Sequence, residues 1–287
     1  MGINIRTIKD IKSYLEKELA GIYPPPEIHA LSGIIIKTVF KVARLHVPSM
    51  PGDLVTKKQA DRIISICREL KTGKPIQYIL GETSFYNCTI KVNPEVLIPR
   101  PETEELVDLV IKENKDFRGA ILDVGTGSGC IAVALAVNLP GSKVKGIDNS
   151  EGAVRISEEN TGLNEAQASF FRNDIFNPDY KTIGEAGIIV SNPPYVRISE
   201  MTQMARNVLD YEPHSALFVD DSDPLVYYRA ILEIAEIVLI PGGKIYFEIN
   251  EAMGGQMAML LQSYAFADVK VIKDINDKDR IVKGIKY

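Results

Sequence analysis

Only three cysteines occur in 287 residues, Cys67, Cys88 and Cys130. They lie too far apart for a zinc-ligand spacing or a disulfide framework, so reduced thiols in a packed interior are expected, with Cys130 a small helix-packing residue. Long apolar runs are missing as well: no stretch approaches the roughly 18 uninterrupted apolar residues of a membrane span. The N-terminal MGINIRTIKDIKSYLEKEL is amphipathic and charged throughout rather than a leader. These absences predict a cytoplasmic protein that does not engage membranes. A basic excess is also lacking, with 33 Lys and Arg against 38 Asp and Glu and a net charge of -5. That balance argues against holding duplex nucleic acid by neutralising its phosphates. His214 has no adjacent nucleophile or second imidazole, which removes it from catalytic candidates.

The charge is unevenly spread. Residues 1–90 carry 13 basic against 8 acidic residues, and residues 91–287 carry 20 against 30. The basic front reads as a solvated helical surface or as a docking face for an acidic partner. Helical periodicity runs through residues 1–73 in three blocks. Ile5, Ile8, Ile11, Leu15 and Leu19 stripe the first, which ends at Pro24-Pro25-Pro26. The second is predicted from Glu27 to Leu45, stopping before Pro48, and the third follows a Thr56 cap and closes at Gly73. From Ile76 to Ile98 the pattern turns β-like, with Gly81 and Asn87 as turn candidates, which predicts a hairpin over 74–99 joining the bundle to a larger domain over 100–287.

In that domain short apolar strands alternate with helical segments. Strands are expected at Ala120–Val124, Lys143–Ile147, Ser169–Arg172, Gly187–Ser191 and Lys244–Ile249, with helices near 129–138, 150–163 and 224–239. Two more strands at the end are joined by the polar Asp274 to Asp279 loop. The expected fold is α/β, a doubly wound, mostly parallel seven-stranded sheet with an antiparallel edge, preceded by a small helical bundle.

Ligands of such sheets sit beyond the carboxyl ends of the strands. After the first strand comes LDVGTGSGC, where Gly125, Thr126, Gly127, Ser128 and Gly129 form a G-x-G-x-G loop at a helix N-terminus. It is one residue shorter than the dinucleotide pattern and suits a nucleoside without a pyrophosphate. Asp148 ends the second strand, where a carboxylate can accept both ribose hydroxyls, or can simply cap the next helix. Asp174 follows the third, placed to accept from an adenine amino group with Ile175 against the ring, or to make a turn. In order on three successive strand ends, they describe a pocket for S-adenosylmethionine.

After the fourth strand stands Asn192-Pro193-Pro194-Tyr195. Proline stops the strand and stiffens the residues beside it. An amide or aryl amine is a poor nucleophile because its lone pair is delocalised, so the site must hold it in line. The Asn192 side-chain oxygen and the Pro193 carbonyl can each accept one N–H of a planar NH2, and Tyr195 can lie over the flat group. The simpler reading is an ordinary Asn-Pro turn.

The motif resembles the Asn/Asp-Pro-Pro-Tyr signature of amino-methyltransferases acting on adenine, guanine or glutamine. Upstream, GKPIQYILGETSFYNCTIKVNPEVLIPRPETE and, downstream, YEPHSAL resemble the HemK/PrmC family, the glutamine N5-methyltransferases of peptide chain release factors, over residues 73–250. The resemblance implies a class I S-adenosylmethionine-dependent fold and S-adenosylhomocysteine as product. It further implies release factors as protein substrates, a substrate-recruiting role for residues 1–73, and a pocket bordered by Arg100 and Glu102. Read physically, Pro101 and the acidic residues after it also suit a plain helix start. A monomer without direct nucleic-acid binding is expected. The alternative within the chemistry is a DNA adenine-N6 or rRNA guanine-N2 methyltransferase, which needs an exposed base and normally a basic groove. A dinucleotide oxidoreductase conflicts with the short glycine loop, and a non-catalytic adaptor with the joint presence of Asp148, Asn192 and Tyr195. Two departures stand out. Asn250 follows Glu248-Ile249 where the family usually has glycine, and Gly254-Gly255-Gln256 repeats the target tripeptide of release factors but reads as a helix start.

Overall fold

The computed structural model describes residues 5–41 and 54–287. Contacts divide the chain into two compact units, one formed by residues up to Gly81 together with Arg206–Tyr211, the other by the remainder. In the first unit Thr7 and Asp10 form a capping box at the start of α1 (Ile8–Leu19). Pro25 opens α2 (Pro25–Phe40), where a missing N–H costs nothing. The expected run of this helix to Leu45 lies outside the described residues. Thr56 and Gln59 cap α3 (Lys57–Leu70) in the same way as α1 is capped. Ile11, Leu15, Leu19, Ile35, Ile36, Ile63 and Ile66 are fully buried between these helices. Spacings of three and four residues put them on one face of each helix.

The expectation of β structure from Ile76 is corrected by α4 (Ile76–Leu80), a single helical segment of the first unit. Pro75 precedes it, Ile76 and Ile79 are buried one turn apart, and Gly81 ends it at φ 79°. A spacing of three with a left-handed glycine stop is a helical signal, which short apolar runs easily disguise. The hairpin itself is shorter than expected, β1 (Glu82–Phe85) against β2 (Cys88–Lys91). Its two-residue turn places Tyr86 and Asn87 at φ 42° and 64°, the geometry that matches strand twist.

The second unit continues through α5 (Pro101–Glu113), β3 (Ala120–Val124), α6 (Cys130–Asn138), β4 (Lys143–Asp148), α7 (Glu151–Leu163), β5 (Ala168–Arg172), α8 (Tyr180–Ile183) and β6 (Ala186–Ser191). Then come β7 (Val196–Arg197), α9 (Arg206–Tyr211, grouped with the first unit), β8 (Phe218–Val219), α10 (Val226–Val238), β9 (Leu239–Glu248), α11 (Gly254–Ser263), β10 (Phe266–Lys273) and β11 (Asp279–Lys286). The seven-stranded sheet has the order β10-β11-β9-β6-β3-β4-β5, parallel except at β11, which pairs antiparallel with both β9 and β10. All six residues of β6 are buried, as a central parallel strand covered on both faces requires. From β3 the chain winds outward to β4 and β5, then returns to the other side at β6. The switch point between β3 and β6 opens a crevice at their carboxyl ends. Gly254 begins α11 as expected, and a Cβ there would come within 2.2 Å of the Asp279 carboxylate, which would have to shift to admit one.

Candidate active site

A cavity of about 390 Å³ lies at that switch point. Its wall takes residues from the loops after β3, β4, β5 and β6 and from the segment leading into α5. Gly125, Gly127 and Gly129 all have positive φ, at 71°, 54° and 77°. A Cβ on Gly125 or Gly127 would meet nothing within 4 Å, so their backbone borders open space, whereas one on Gly129 would strike Ser157 at 2.7 Å. The loop is therefore both exposed to a ligand and packed against α7. Asn160, fully buried on α7, donates to the carbonyls of Ser128 at 2.8 Å and Lys91 at 3.0 Å and accepts from Lys91 N at 2.7 Å.

Two carboxylates serve the loop. Asp148 Oδ2 accepts from Gly127 N at 2.9 Å and Oδ1 from Ser150 N at 2.9 Å, which leaves lone pairs on both oxygens toward the cavity it lines. Burial raises its pKa, against the lowering effect of those backbone donors. Asp123 is fully buried, its Oδ2 bound by Thr126 Oγ1 at 2.6 Å and Ala132 N at 3.3 Å, while Oδ1 has no protein partner. Burial pushes its pKa up to about 7, with Asp148 adding to the rise. Asp174 Oδ1 accepts from Phe176 N at 3.0 Å in a local turn, and Asp174, Ile175, Phe176 and Tyr227 line the same end of the cavity. Open glycine backbone, the Asp148 carboxylate with spare acceptor capacity and an apolar-aromatic end fit the cofactor expected from sequence, a cationic adenosine derivative.

Asn192, Pro193 and Pro194, after β6, line the same cavity as the glycine loop after the neighbouring strand β3. Asn192 Nδ2 donates to Thr103 Oγ1 at 3.1 Å, which leaves its side-chain oxygen unspent. Thr103 Oγ1 donates to Glu248 Oε2 at 2.7 Å, and Tyr195 Oη donates to Glu248 Oε1 at 2.9 Å. Glu248 is fully buried at the end of β9, and burial raises its pKa. The Tyr195 hydroxyl is buried with it, and its pKa is driven well above 10.0 by desolvation and the neighbouring carboxylate.

Tyr195 does not line this cavity: its hydroxyl donates to Glu248, and its half-buried ring packs against the core beside the sheet. Glu102 is half-buried and does not line the cavity either. A helix turns about 100° per residue, so the inward position of the first turn of α5 falls to Thr103. Arg100 does line the cavity, held by buried Glu212 at 2.6 Å. Thr103, Glu248, Asn160 and Glu212 hold the cavity-lining residues through buried hydrogen bonds, and the sequence alone does not single them out. A signal existed for one of them, since a lone glutamate closing the apolar run of β9 is an anomaly. Asn250, in place of the usual glycine, donates to Glu200 Oε2 at 3.0 Å and to the Tyr195 carbonyl at 3.4 Å, while its own oxygen accepts from Ala252 N. It ties the motif to the segment after it and does not itself line the cavity. No group of three or more metal-ligating side chains occurs among the described residues. Among them, no helix is long and apolar enough to cross a membrane.

Comparison with known proteins gives two family matches, the Methyltransferase small domain over residues 103–214 and the PrmC N-terminal domain over residues 12–81. A release factor glutamine methyltransferase of Bacteroides thetaiotaomicron is 46% identical over 272 residues, covering 95% of this chain and 98% of the relative. One from Flavobacterium psychrophilum is 42% identical, covering 96% and 98%. Among solved structures, a 16S rRNA N2 G1207 methyltransferase of Thermus thermophilus superposes with a TM-score of 0.53 at 18% identity, over 72% of this chain and 50% of that one. A methyltransferase of Pyrococcus furiosus gives 0.51 at 18% identity, over 80% and 99%. At such identity the structural likeness speaks for the shared fold.

Proposed function

The chain belongs to the release factor glutamine methyltransferase family, and from that premise we propose how its own residues methylate the target glutamine. The reaction is transfer of a methyl group from S-adenosylmethionine to the side-chain amide nitrogen of a glutamine in peptide chain release factors, the one in their Gly-Gly-Gln motif. The nucleic-acid alternative is not favoured. When bound, S-adenosylmethionine supplies an electrophilic methyl on a sulfonium sulfur. Asp148 would accept from the ribose hydroxyls, the backbone of Gly125 to Gly129 would border the nucleoside without a pyrophosphate cradle, and Asp174 and Ile175 would hold the adenine. Pro194 completes the wall beside Pro193.

The amide nitrogen of glutamine is barely basic because its lone pair is shared with the carbonyl. Asn192 Oδ1 and the Pro193 carbonyl accept its two N–H groups, orient the NH2 and favour the positive charge that develops on nitrogen. The observation that carries this reading is the unspent Asn192 oxygen beside the cavity, its amide nitrogen being committed to Thr103. Arg100 stands at the same wall as a partner for the target loop. The protein acts as a cytoplasmic monomer without direct nucleic-acid contact, consistent with its acidic catalytic half.

The test is to incubate the protein with labelled S-adenosylmethionine and an intact release factor and to locate the methylated residue by mass spectrometry. Label on the Gly-Gly-Gln glutamine is expected, and Asn192→Ala should lower turnover by about 10²–10³ while the fold survives. Label on nucleic acid, or near wild-type turnover in Asn192→Ala, would overturn the reading.

A further inference from the structure

A carboxylate only accepts hydrogen bonds, and a hydroxyl has a single proton to give. Thr103 spends its proton on Glu248 Oε2 at 2.7 Å, inside a site where both residues are buried. Its oxygen can then only accept, and the group facing it at 3.1 Å is Asn192 Nδ2. The polarity runs one way, from the Asn192 N–H to the Thr103 hydroxyl to the Glu248 carboxylate. The second Glu248 oxygen takes the Tyr195 hydroxyl at 2.9 Å, and Tyr228 Oη holds the Glu248 backbone carbonyl at 2.9 Å.

We infer that Glu248 is the positioning residue of the Asn192 to Tyr195 motif: through Thr103 it dictates which end of the Asn192 amide meets the target nitrogen, and through Tyr195 it pins the other end of the motif. This rests on the reading that Asn192 accepts from the target NH2. Turned over, the Asn192 amide would present its own N–H groups to the substrate's, donor against donor. A carboxylate outside the cavity wall thus sets the hydrogen-bonding character of a group on it. The same polarity selects asparagine over aspartate at position 192, because an aspartate there would face a Thr103 oxygen with no proton to offer.

That selection supplies the test. In Glu248→Gln the amide oxygen can keep Tyr195 while its NH2 donates to Thr103, which frees the Thr103 proton to point at residue 192. Asn192→Asp alone leaves the carboxylate without a donor. With intact release factor as substrate, each single variant should lower kcat by roughly 10²-fold. KM for the release factor should stay within about threefold, since the lost contact belongs to turnover. The double variant, in which Thr103 donates to the aspartate, should regain about tenfold or more over either single variant, a coupling of opposite sign to ordinary damage. If Glu248 only fills space, the losses accumulate. A double variant no better than the worse single one, or a wild-type kcat in Glu248→Gln, overturns the inference. Melting temperature and calorimetric affinity for S-adenosylhomocysteine report folding. Should Glu248→Gln fail to fold, Thr103→Val removes the middle oxygen at equal volume; a fall in kcat at retained KM is expected, and an unchanged kcat refutes the relay. Full activity in Asn192→Ala would instead strike the role of Asn192 itself, a distinct failure.

Discussion

Asp123 shows what a single residue at this site costs the fold. Its carboxyl has a pKa of about 7 in the folded chain, chiefly from burial, against 3.8 as the ordinary value. Between those values the folded state holds a proton that the unfolded chain releases, so the free energy of unfolding falls as pH rises through the window. Above it a charged group sits buried with one oxygen lacking any protein partner. Asp123→Asn removes that penalty. Without cofactor the variant should be more stable than the parent by about 2–4 kcal/mol at pH 8. The gain should vanish near pH 4, where both side chains are neutral. Melting curves at the two pH values check the sign. Binding of S-adenosylmethionine should weaken at the same time, because a cationic ligand loses a nearby negative charge; a variant both more stable and equally tight in binding would contradict this role for Asp123.

At the scale of elements, α7 acts as a brace for two backbone segments that cannot brace themselves. The glycine loop has no side chains to pack at three of its five positions, and β2 belongs to a two-stranded hairpin, marginal in isolation. Asn160 and Asn164, one turn apart on and just after α7, bond the backbone of Lys91, Ser128 and Thr89. Asn160→Ala strands one buried and two part-buried backbone groups, which should cost about 1–3 kcal/mol in stability. It should also weaken S-adenosylhomocysteine binding, since the Ser128 carbonyl loses its donor. Chemical denaturation and calorimetry measure the two effects. Asn164→Ala, at a half-buried site away from the glycine loop, should show a smaller loss of stability and none of binding.

At the scale of the whole molecule the question is selectivity, because an amide-orienting pocket cannot tell one glutamine from another. The proposed role of the helical front is a second contact, through which tethering would raise the effective concentration of the target loop. Lys57 and Lys58 are exposed in the first turn of α3, a turn without an acidic residue, where the helix dipole disfavours cations. Charge reversal there should not unfold the helix, which separates recruitment from folding. Lys12→Glu/Lys57→Glu/Lys58→Glu should raise KM for intact release factor by about tenfold at low salt, with the gap closing as salt rises. Cofactor affinity and the rate on a short Gly-Gly-Gln peptide, which is too small to reach the helical front, should stay unchanged. An unaltered KM would leave the basic excess as a solvated face. Removing the front outright is a blunter experiment than the sequence suggests: Arg206–Tyr211 clusters with the first unit, and Tyr211 Oη bonds the Thr72 carbonyl at 3.0 Å.

The sequence by itself determined the order of strands and helices, the glycine loop and the asparagine-proline corner, because each is written in neighbouring residues: apolar period, turn chemistry, the stiffness of proline. It placed the strand ends that carry Asp148, Asp174 and Asn192 at one edge of a parallel sheet for the same reason. It misled at Ile76–Leu80, where five residues are too few for a period to declare itself. Only the tertiary structure decided what holds the motif. Thr103 and Glu248 are 145 residues apart in the chain and meet because α5 packs against β9. Whether Asn192 offers an oxygen or a nitrogen, and whether Tyr195 faces a substrate or a buried carboxylate, depends on partners brought close by folding. No local pattern records a hydrogen bond whose direction is set by a third residue.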